Sequence, residues 1–369
     1  MKFLMAGGGT GGHVIPALAV ARELKRRGHE PFFVGTAAGL EAKLVPAAGF
    51  TIEFIEIGGL KRVGLVQTTR TLWQLPVATA RIAVALARWK PAAVFSMGGY
   101  AAGPAVLAAW MRRIPLAVME PNAVPGMTNR WMARRAGRAL VNFEQTARYF
   151  PRGRAELIGV PVRPEFFEVP PKPRGDTLTV LITGGSQGSR TLNNAVRESW
   201  RLFRDAGFRV RLIHQTGWEA HAAIAREFAA SGMQGEVVPF IDDMPGAFAA
   251  ADVVVCRSGA SAVAEIAAAG RPAIFVPFPY AADDHQTRNA EVLARAGAGR
   301  LVPDRELTGE RLFNEVRTLV GEPGVLEKIG EEARRFARPG AASRAADVLE
   351  ELAERRAAAA RQAWPRDFD

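Results

Sequence analysis

Three glycine-rich turns stand where a predicted strand runs into a predicted helix: Gly7-Gly8-Gly9-Thr10-Gly11-Gly12-His13, Met97-Gly98-Gly99-Tyr100-Ala101-Ala102-Gly103 and Thr183-Gly184-Gly185-Ser186-Gln187-Gly188-Ser189. Glycine lets backbone N–H groups approach a ligand closely, and the positive end of the following helix dipole favours negative charge, so each turn reads as a phosphate cradle. A further junction runs from Cys256-Arg257-Ser258-Gly259 to Glu265. Its amides suit an anion, and the Glu265 carboxylate can accept two hydrogen bonds from a ribose diol. The next loop, Asp283-Asp284-His285-Gln286-Thr287-Arg288-Asn289, gathers polar side chains behind an apolar strand. His13, at the start of the first helix, can accept a proton or donate a hydrogen bond; capping the turn is its alternative role.

The elements that must hold these turns are short β-rich runs alternating with helical patterns. The clearest strands are residues 2–6, 31–35, 93–97, 115–119 and 139–142, then 177–183, 209–214, 236–240, 252–256 and 272–276. Such alternation predicts α/β domains with doubly wound parallel sheets covered by helices. The first helix is expected from about His13, with Ile15, Leu18, Ala19 and Leu24 at helical spacing and a stop at Gly28. Closely spaced prolines at 161, 164, 170, 171 and 173 break the pattern over 151–174, which reads as a linker. The expected domains are therefore 1–160 and 161–340, with a tail helix at about 341–363 packing back on the first.

Composition narrows the function. Cys256 is the only cysteine of the 369 residues, which excludes an internal disulfide framework and reads as a small buried strand residue. Residues 1–162 carry 21 Lys/Arg against 8 Glu and no Asp, while 163–369 carry 27 against 29, so the excess positive charge lies in the first half. That field suits an anionic partner such as a membrane surface, a lipid phosphate or nucleic acid; an ordinary arginine-rich surface is the alternative. No aromatic RNP motif, paired-cysteine finger or basic zipper accompanies it, so no nucleic-acid partner is expected. Residues 91–111 are uncharged and long enough to span a bilayer, but Pro91, Gly98, Gly99, Gly103 and Pro104 break them. The opening Lys2 and apolar stretch imitate a secretion signal, yet a glycine run occupies its centre. Nor is the first turn a dinucleotide fingerprint. Gly7, Gly9 and Gly12 can be set on G-x-G-x-x-G, but Thr10 and His13 then have no role and Glu30 precedes the second strand instead of ending it.

Gly8-Gly9-Thr10-Gly11-Gly12-His13, Gly98-Gly99-Tyr100, Glu120-Pro121-Asn122, Gly184-Gly185-Ser186-Gln187-Gly188 with Leu192-Asn193, Phe240-Ile241-Asp242-Asp243-Met244 and Arg257-Ser258-Gly259-Ala260 through Glu265 resemble, in order and spacing, the MurG family of bacterial glycosyltransferases, in glycosyltransferase family 28. The resemblance covers about residues 1–338. It implies a GT-B fold, two Rossmann-like domains facing across a cleft. It also implies inverting transfer of N-acetylglucosamine from UDP-N-acetylglucosamine to an undecaprenyl-pyrophosphoryl-N-acetylmuramoyl-pentapeptide in peptidoglycan synthesis. Another UDP-sugar-dependent lipid glycosyltransferase, or a sugar-nucleotide epimerase, would keep the fold and change the substrates.

Donor contacts would carry over to Thr10, Gly11, Gly12, Asn122, Arg163, Ser186, Ile241, Ala260, Ser261, Ala262, Val263, Ala264, Glu265 and Gln286, and acceptor contacts to Gly98, Gly99 and Tyr100. Ile241 would offer backbone groups to uracil, Gln286 hydrogen bonds to the sugar, and Arg163 a cation for the nucleotide sugar. Family members often have His-Glu-Gln-Asn where this chain has Met119-Glu120-Pro121-Asn122, so His13 and Glu120 are the candidate proton acceptors. No cofactor and no essential protein-bound metal is expected, since Asp242-Asp243 and Asp283-Asp284 read as turn residues and helix N-termini with Arg163 can stabilise UDP. A polyprenyl acceptor implies work at the cytoplasmic face of the cell membrane, held peripherally, with other cell-wall synthesis proteins as further partners. Leu72, Trp73, Leu75, Val77 and Trp110, beside Arg70, Arg81, Arg88, Lys90, Arg112 and Arg113, are the candidate contacts to an anionic membrane surface; a place in the core is their alternative.

Overall fold

The computed structural model describes residues 1–9, 11–57, 65–99, 101–173 and 175–362, with backbone alone for 65–72. Thr10, Tyr100 and the side chains of Arg70 and Leu72 lie outside the described residues. The chain forms two compact units, Met1–Val162 with Gly340–Asp369, and Arg163–Pro339.

Unit 1 alternates β1 (Lys2–Gly7), α1 (Gly11–Arg26), β2 (Glu30–Gly35), α2 (Glu41–Ala47), β3 (Ile52–Phe54), α3 (Leu65–Trp89), β4 (Ala93–Gly98), α4 (Gly103–Met111), β5 (Leu116–Glu120), α5 (Met127–Met132), β6 (Arg138–Val141) and β7 (Ala155–Leu157). Its seven strands lie in the order β3-β2-β1-β4-β5-β6-β7, all parallel. Unit 2 follows with β8 (Leu178–Thr183), α6 (Arg190–Asp205), β9 (Val210–Gln215), α7 (Trp218–Ala230), β10 (Gln234–Val238), α8 (Met244–Ala250), β11 (Val253–Cys256), α9 (Ala260–Ala269), β12 (Ala273–Phe275), α10 (His285–Arg295), β13 (Arg300–Leu301), α11 (Gly309–Gly321) and α12 (Val325–Arg334). Its parallel order is β10-β9-β8-β11-β12-β13. The central strands are mostly apolar because helices cover both faces; Val253, Val254, Val255 and Cys256 are all buried.

Several local expectations change. α1 begins at Gly11, and its core stripe is Val14, Ala17, Leu18, Ala21 and Leu24, whereas Ile15 falls off that stripe and is 42 % exposed. Within the expected linker, Ala155–Leu157 instead pairs with β6, because the prolines at 151 and 161 flank this strand without interrupting its ladder. β3 and β13, with three and two residues, are too short to carry a readable pattern.

The last helix, α13 (Ala341–Gln362), belongs to unit 1 and packs on α1, β4 and β5. Ala345, Val348, Leu349 and Leu352 are its buried stripe. Arg27, one residue past α1, ties it down: its guanidinium donates to Asp347 (2.6 Å), Glu350 (2.7 Å), Ser343 Oγ (2.7 Å) and Glu23 (2.8 Å). His29 and Glu350 lie 2.7 Å apart, and Arg344 reaches Glu156 at 2.6 Å. Arg27→Ala strands three carboxylates around a vacated cation. It should lower stability by about 2 kcal/mol, between the exposed and buried ion-pair ranges, and speed proteolytic nicking near Gly340; both are read by thermal melts and limited digestion.

Candidate active site

In each sheet the strand order reverses beside the first strand: between β1 and β4 in unit 1, and between β8 and β11 in unit 2. Loops leaving the carboxyl ends of those strands part to opposite faces and open a crevice, the usual ligand position in open α/β sheets. The three glycine turns and the Arg257–Gly259 junction are the four loops at these two reversals.

At the unit 1 reversal the turn after β1 is partly filled by the protein itself. The buried Glu41 carboxylate accepts hydrogen bonds from the Gly9 amide (2.8 Å), the Thr36 amide (2.8 Å) and Thr36 Oγ1 (2.9 Å). A Cβ at Gly8, Gly35 or Gly39 would overlap the Glu41 side chain. The expectation of an open cradle is corrected here: the Gly9 amide is already committed. Gly11, Gly12 and His13 form the first turn of α1 and are half-buried. The His13 ring lies beside the β4–α4 turn, since a Cβ on Gly99 would sit 3.4 Å from its Cε1 and Nδ1 and 3.4 Å from the Gly8 carbonyl oxygen. His13, Gly98 and Gly99 are therefore brought together.

Glu120, the other candidate proton acceptor, is 1 % exposed. It accepts from the Asn122 amide (3.0 Å) and Nδ2 (3.2 Å), the Gly126 amide (3.0 Å) and Asn129 Nδ2 (2.9 Å). Burial raises its pKa, and these donors act against that rise. With both oxygens enclosed, Glu120 organises the loop that presents Asn122 and has no open face for a substrate hydroxyl. Asn129 in turn packs against Gly98, and Thr128 Oγ1 donates to the Gly99 carbonyl at 2.9 Å.

In unit 2 the turn after β8 stays open. Ser186 and Gln187 are exposed, and among the described residues nothing accepts from their amides. Its backbone rests on the β9–α7 loop, where a Cβ on Gly188 would strike the Thr216 carbonyl. Gln215 joins two parts of the site: its Nε2 donates to the Gly185 carbonyl (2.8 Å) and its Oε1 accepts from the Ile241 amide (2.9 Å). The Ile241 N–H is thus taken, which leaves its carbonyl for a base. Arg257 ties the turn to the far side, donating to Ser189 Oγ (2.6 Å), to the Val276 (3.0 Å) and Pro277 (3.1 Å) carbonyls and to Asp304.

Beyond β11, Ala260 and Val263 are buried, so their side chains serve the core and only backbone can face a ligand. Ser261, Ala262, Ala264 and Glu265 are half-buried, and Ser261 Oγ is enclosed without a partner among the described residues. Gln286 Oε1 accepts from the Phe278 amide (2.9 Å), while its Nε2 would lie 3.9 Å from a Cβ on Gly259. Its amide donors therefore face the loop and its oxygen does not. Glu265 has no hydrogen-bond partner among the described residues. Crowding by protein raises its carboxyl to about 7, and the Arg163 cation works against the rise. Arg163, half-buried over the Phe166 ring at 5.1 Å, is the first residue of unit 2. The paired acids have local duties: Asp243 caps α8 by accepting from Gly246 (2.9 Å), and Asp284 accepts from Thr287 (2.6 Å).

The models for the glycosyltransferase family 28 N-terminal domain and C-terminal domain match residues 3–141 and 179–351. A curated relative from Solibacter usitatus, named UDP-N-acetylglucosamine--N-acetylmuramyl-(pentapeptide) pyrophosphoryl-undecaprenol N-acetylglucosamine transferase, is 62 % identical over 95 % of this chain and 96 % of its own. The chain belongs to glycosyltransferase family 28. A relative of the same name from Anaeromyxobacter dehalogenans is 43 % identical over 96 % of this chain and 94 % of its own. The crystal structure of Acinetobacter baumannii MurG superposes with a TM-score of 0.77 at 32 % identity, covering 95 % of this chain and 99 % of that one. The fold is GT-B.

The sequence motifs found the loops, and Arg257 within one of them without its bracing role, but missed three other side chains that hold them: Glu41, Gln215 and Asn129. Glu41 left one trace, the glycines at 35 and 39 that clear space for it. Glu265→Gln removes a carboxylate whose ionisation burial opposes. Its folded pKa is raised above the ordinary 4.5, so the wild-type penalty is small near pH 5, grows as pH rises towards 7 and levels off above it. The variant should therefore gain melting temperature over wild type from pH 5 to pH 8, by about 2–4 °C per kcal/mol recovered, while UDP binding by calorimetry weakens roughly tenfold, the range of one charge-assisted bond.

Proposed function

We infer that this chain transfers N-acetylglucosamine from UDP-N-acetylglucosamine to undecaprenyl-pyrophosphoryl-N-acetylmuramoyl-pentapeptide, turning lipid I into lipid II in peptidoglycan synthesis. The carrying observation is 62 % identity over 95 % of the chain to a transferase of that name. Most of the donor contacts in this reading belong to unit 2. The open amides of Ser186 and Gln187 suit the pyrophosphate, the Ile241 carbonyl the uracil, Glu265 the ribose and the Gln286 amide the sugar hydroxyls. Arg163 lies close enough to Glu265 to act on its charge and supplies a cation for the departing diphosphate.

In an inverting transfer the acceptor hydroxyl oxygen bonds to the anomeric carbon as the bond to the UDP oxygen breaks, and the hydroxyl proton goes to a base. His13 takes that role in this reading, because Glu120 is enclosed. Gly98 and Gly99, with Tyr100 beyond the described residues, are the acceptor contacts of this reading, and Gly11, Gly12 and Asn122, with Thr10 beyond the described residues, are its donor contacts in unit 1. Stabilisation of the leaving group rests on amides and Arg163, with no cofactor and no protein-bound metal. His13→Ala should lower kcat on the order of 100-fold, within the usual worth of general-base catalysis, with UDP affinity preserved and wild-type rate unchanged by EDTA. Assays with UDP-N-acetylglucosamine, UDP-glucose and UDP-galactose on the lipid acceptor test the reading; epimerised donor without transfer would refute it.

Among the described residues no helix is long and apolar enough to cross a membrane. Unit 1 nonetheless exposes Trp73 (81 %), Val77, Val84, Trp110 (47 %), Met111 and Trp131, so the core alternative fails for Trp73, Val77 and Trp110, while Leu75 is half-buried. Arg81, Arg88, Lys90, Arg112 and Arg113 are exposed nearby in sequence, and Arg135 stacks over Trp110 at 4.5 Å. These groups support peripheral attachment at the cytoplasmic face, where other cell-wall synthesis proteins are candidate partners. Each surface cation adds about 1 kcal/mol at an anionic leaflet. Arg112→Glu with Arg113→Glu should therefore abolish sedimentation with phosphatidylglycerol vesicles while donor binding persists.

A further inference from the structure

We propose that Glu41 is a positioning residue for the transfer reaction, an internal carboxylate that sets the Gly8–Gly9 backbone and, through it, the His13 ring against the β4–α4 turn. Glu41 is 0 % exposed and its side chain joins two loops. It accepts from Gly9 on the β1–α1 turn and twice from Thr36 on the β2–α2 turn. The Gly8 carbonyl, next to the amide it holds, lies against Gly99 on the β4–α4 turn, as does the His13 ring. Glycine at 8, 35 and 39 is required by the volume of this one side chain.

A buried carboxylate is costly unless donors surround it, and here three donors do so. The arrangement makes the carboxylate an anion built into a turn whose sequence invites one. Its electrostatic consequence is a division of labour between glycine turns. The turn after β1 has spent the Gly9 amide and carries a negative charge beneath it, which disfavours a diphosphate at that point. The turn after β8 has no such carboxylate: Asp304, the nearest acid tied to it, is paired with Arg257. The same glycine-rich chemistry thus serves geometry in unit 1 and phosphate in unit 2.

The proposal rests on the transfer reading above, and wild-type transfer is the control for that reading. Glu41→Ala leaves a small vacated pocket and an unpaired Gly9 amide. Its kcat should fall on the order of 10- to 100-fold, the effect of a misplaced catalytic group, while UDP binding by calorimetry and KM for UDP-N-acetylglucosamine stay at wild-type values. Formate at constant ionic strength should recover part of that kcat, and chloride should not. Glu41→Gln, which keeps an oxygen for Thr36 but not the charge, should fall between wild type and Glu41→Ala and covers the case in which the alanine variant fails to fold. Wild-type kcat in folded Glu41→Ala overturns the proposal. So does a loss matched by equal loss of UDP binding, or one that neither formate nor the Gln variant relieves, since each marks packing without positioning. An inactive wild-type protein would instead sink the transfer reading itself.

Discussion

Backbone amides at the carboxyl ends of parallel strands must find acceptors, and how each unit meets that demand determines what its loops can do. Unit 1 satisfies them internally: Glu41 beneath the β1–α1 turn and Glu120 beneath the β5–α5 loop. Unit 2 leaves the Ser186 and Gln187 amides facing solvent and holds the turn from behind, through Gln215 and Arg257. A loop pinned by a buried carboxylate is rigid and already negative. A loop braced by neutral and cationic groups stays receptive to phosphate.

The opposite ends of the unit 2 strands follow the same electrostatics with reversed sign. Helix C-termini gather there, and cations cap them: Arg271 donates to the Phe248 and Ala249 carbonyls, Lys172 to Ala250 and Arg334 to Ala269. A pocket of about 640 Å³ lies among these residues. Three of its cations, Lys172, Arg271 and Arg334, are engaged with backbone carbonyls, and Asp252 partners Lys172 at 2.6 Å. Glu265, Arg163 and Gln286, proposed above for the donor, are not among the residues that line this pocket.

Much of this was legible in residue order. Uninterrupted runs such as Val253-Val254-Val255-Cys256 read as strands covered on both faces, and the glycine-bearing loops after them lie at the carboxyl edge of the sheet. The motifs also named Glu265, Gln286 and Ile241, all of which lie in unit 2. What they could not convey was direction. Glu120 sits beside Asn122 in a matching motif, yet four N–H groups fold around it and close it off, a consequence of Gly126 at the end of the same loop and Asn129 in the first turn of α5. Ile241 is expected to offer backbone groups, but Gln215, distant in sequence, claims its amide proton and leaves the carbonyl. Long-range partners of this kind leave no periodic signature; only volume complementarity, as with the glycines around Glu41, leaves a faint one.

The return of α13 to the first unit has a temporal consequence during synthesis. Leu349 and Val348 close the core over β4 and β5, and the Asp347 and Glu350 carboxylates meet Arg27, so the amino-terminal half emerges from the ribosome lacking one wall. Unit 2 is contiguous and has its full set of strands once residue 339 is outside. In this molecule the half translated first is therefore the half completed last, and its basic, tryptophan-bearing surface reaches finished form only when the final helix docks.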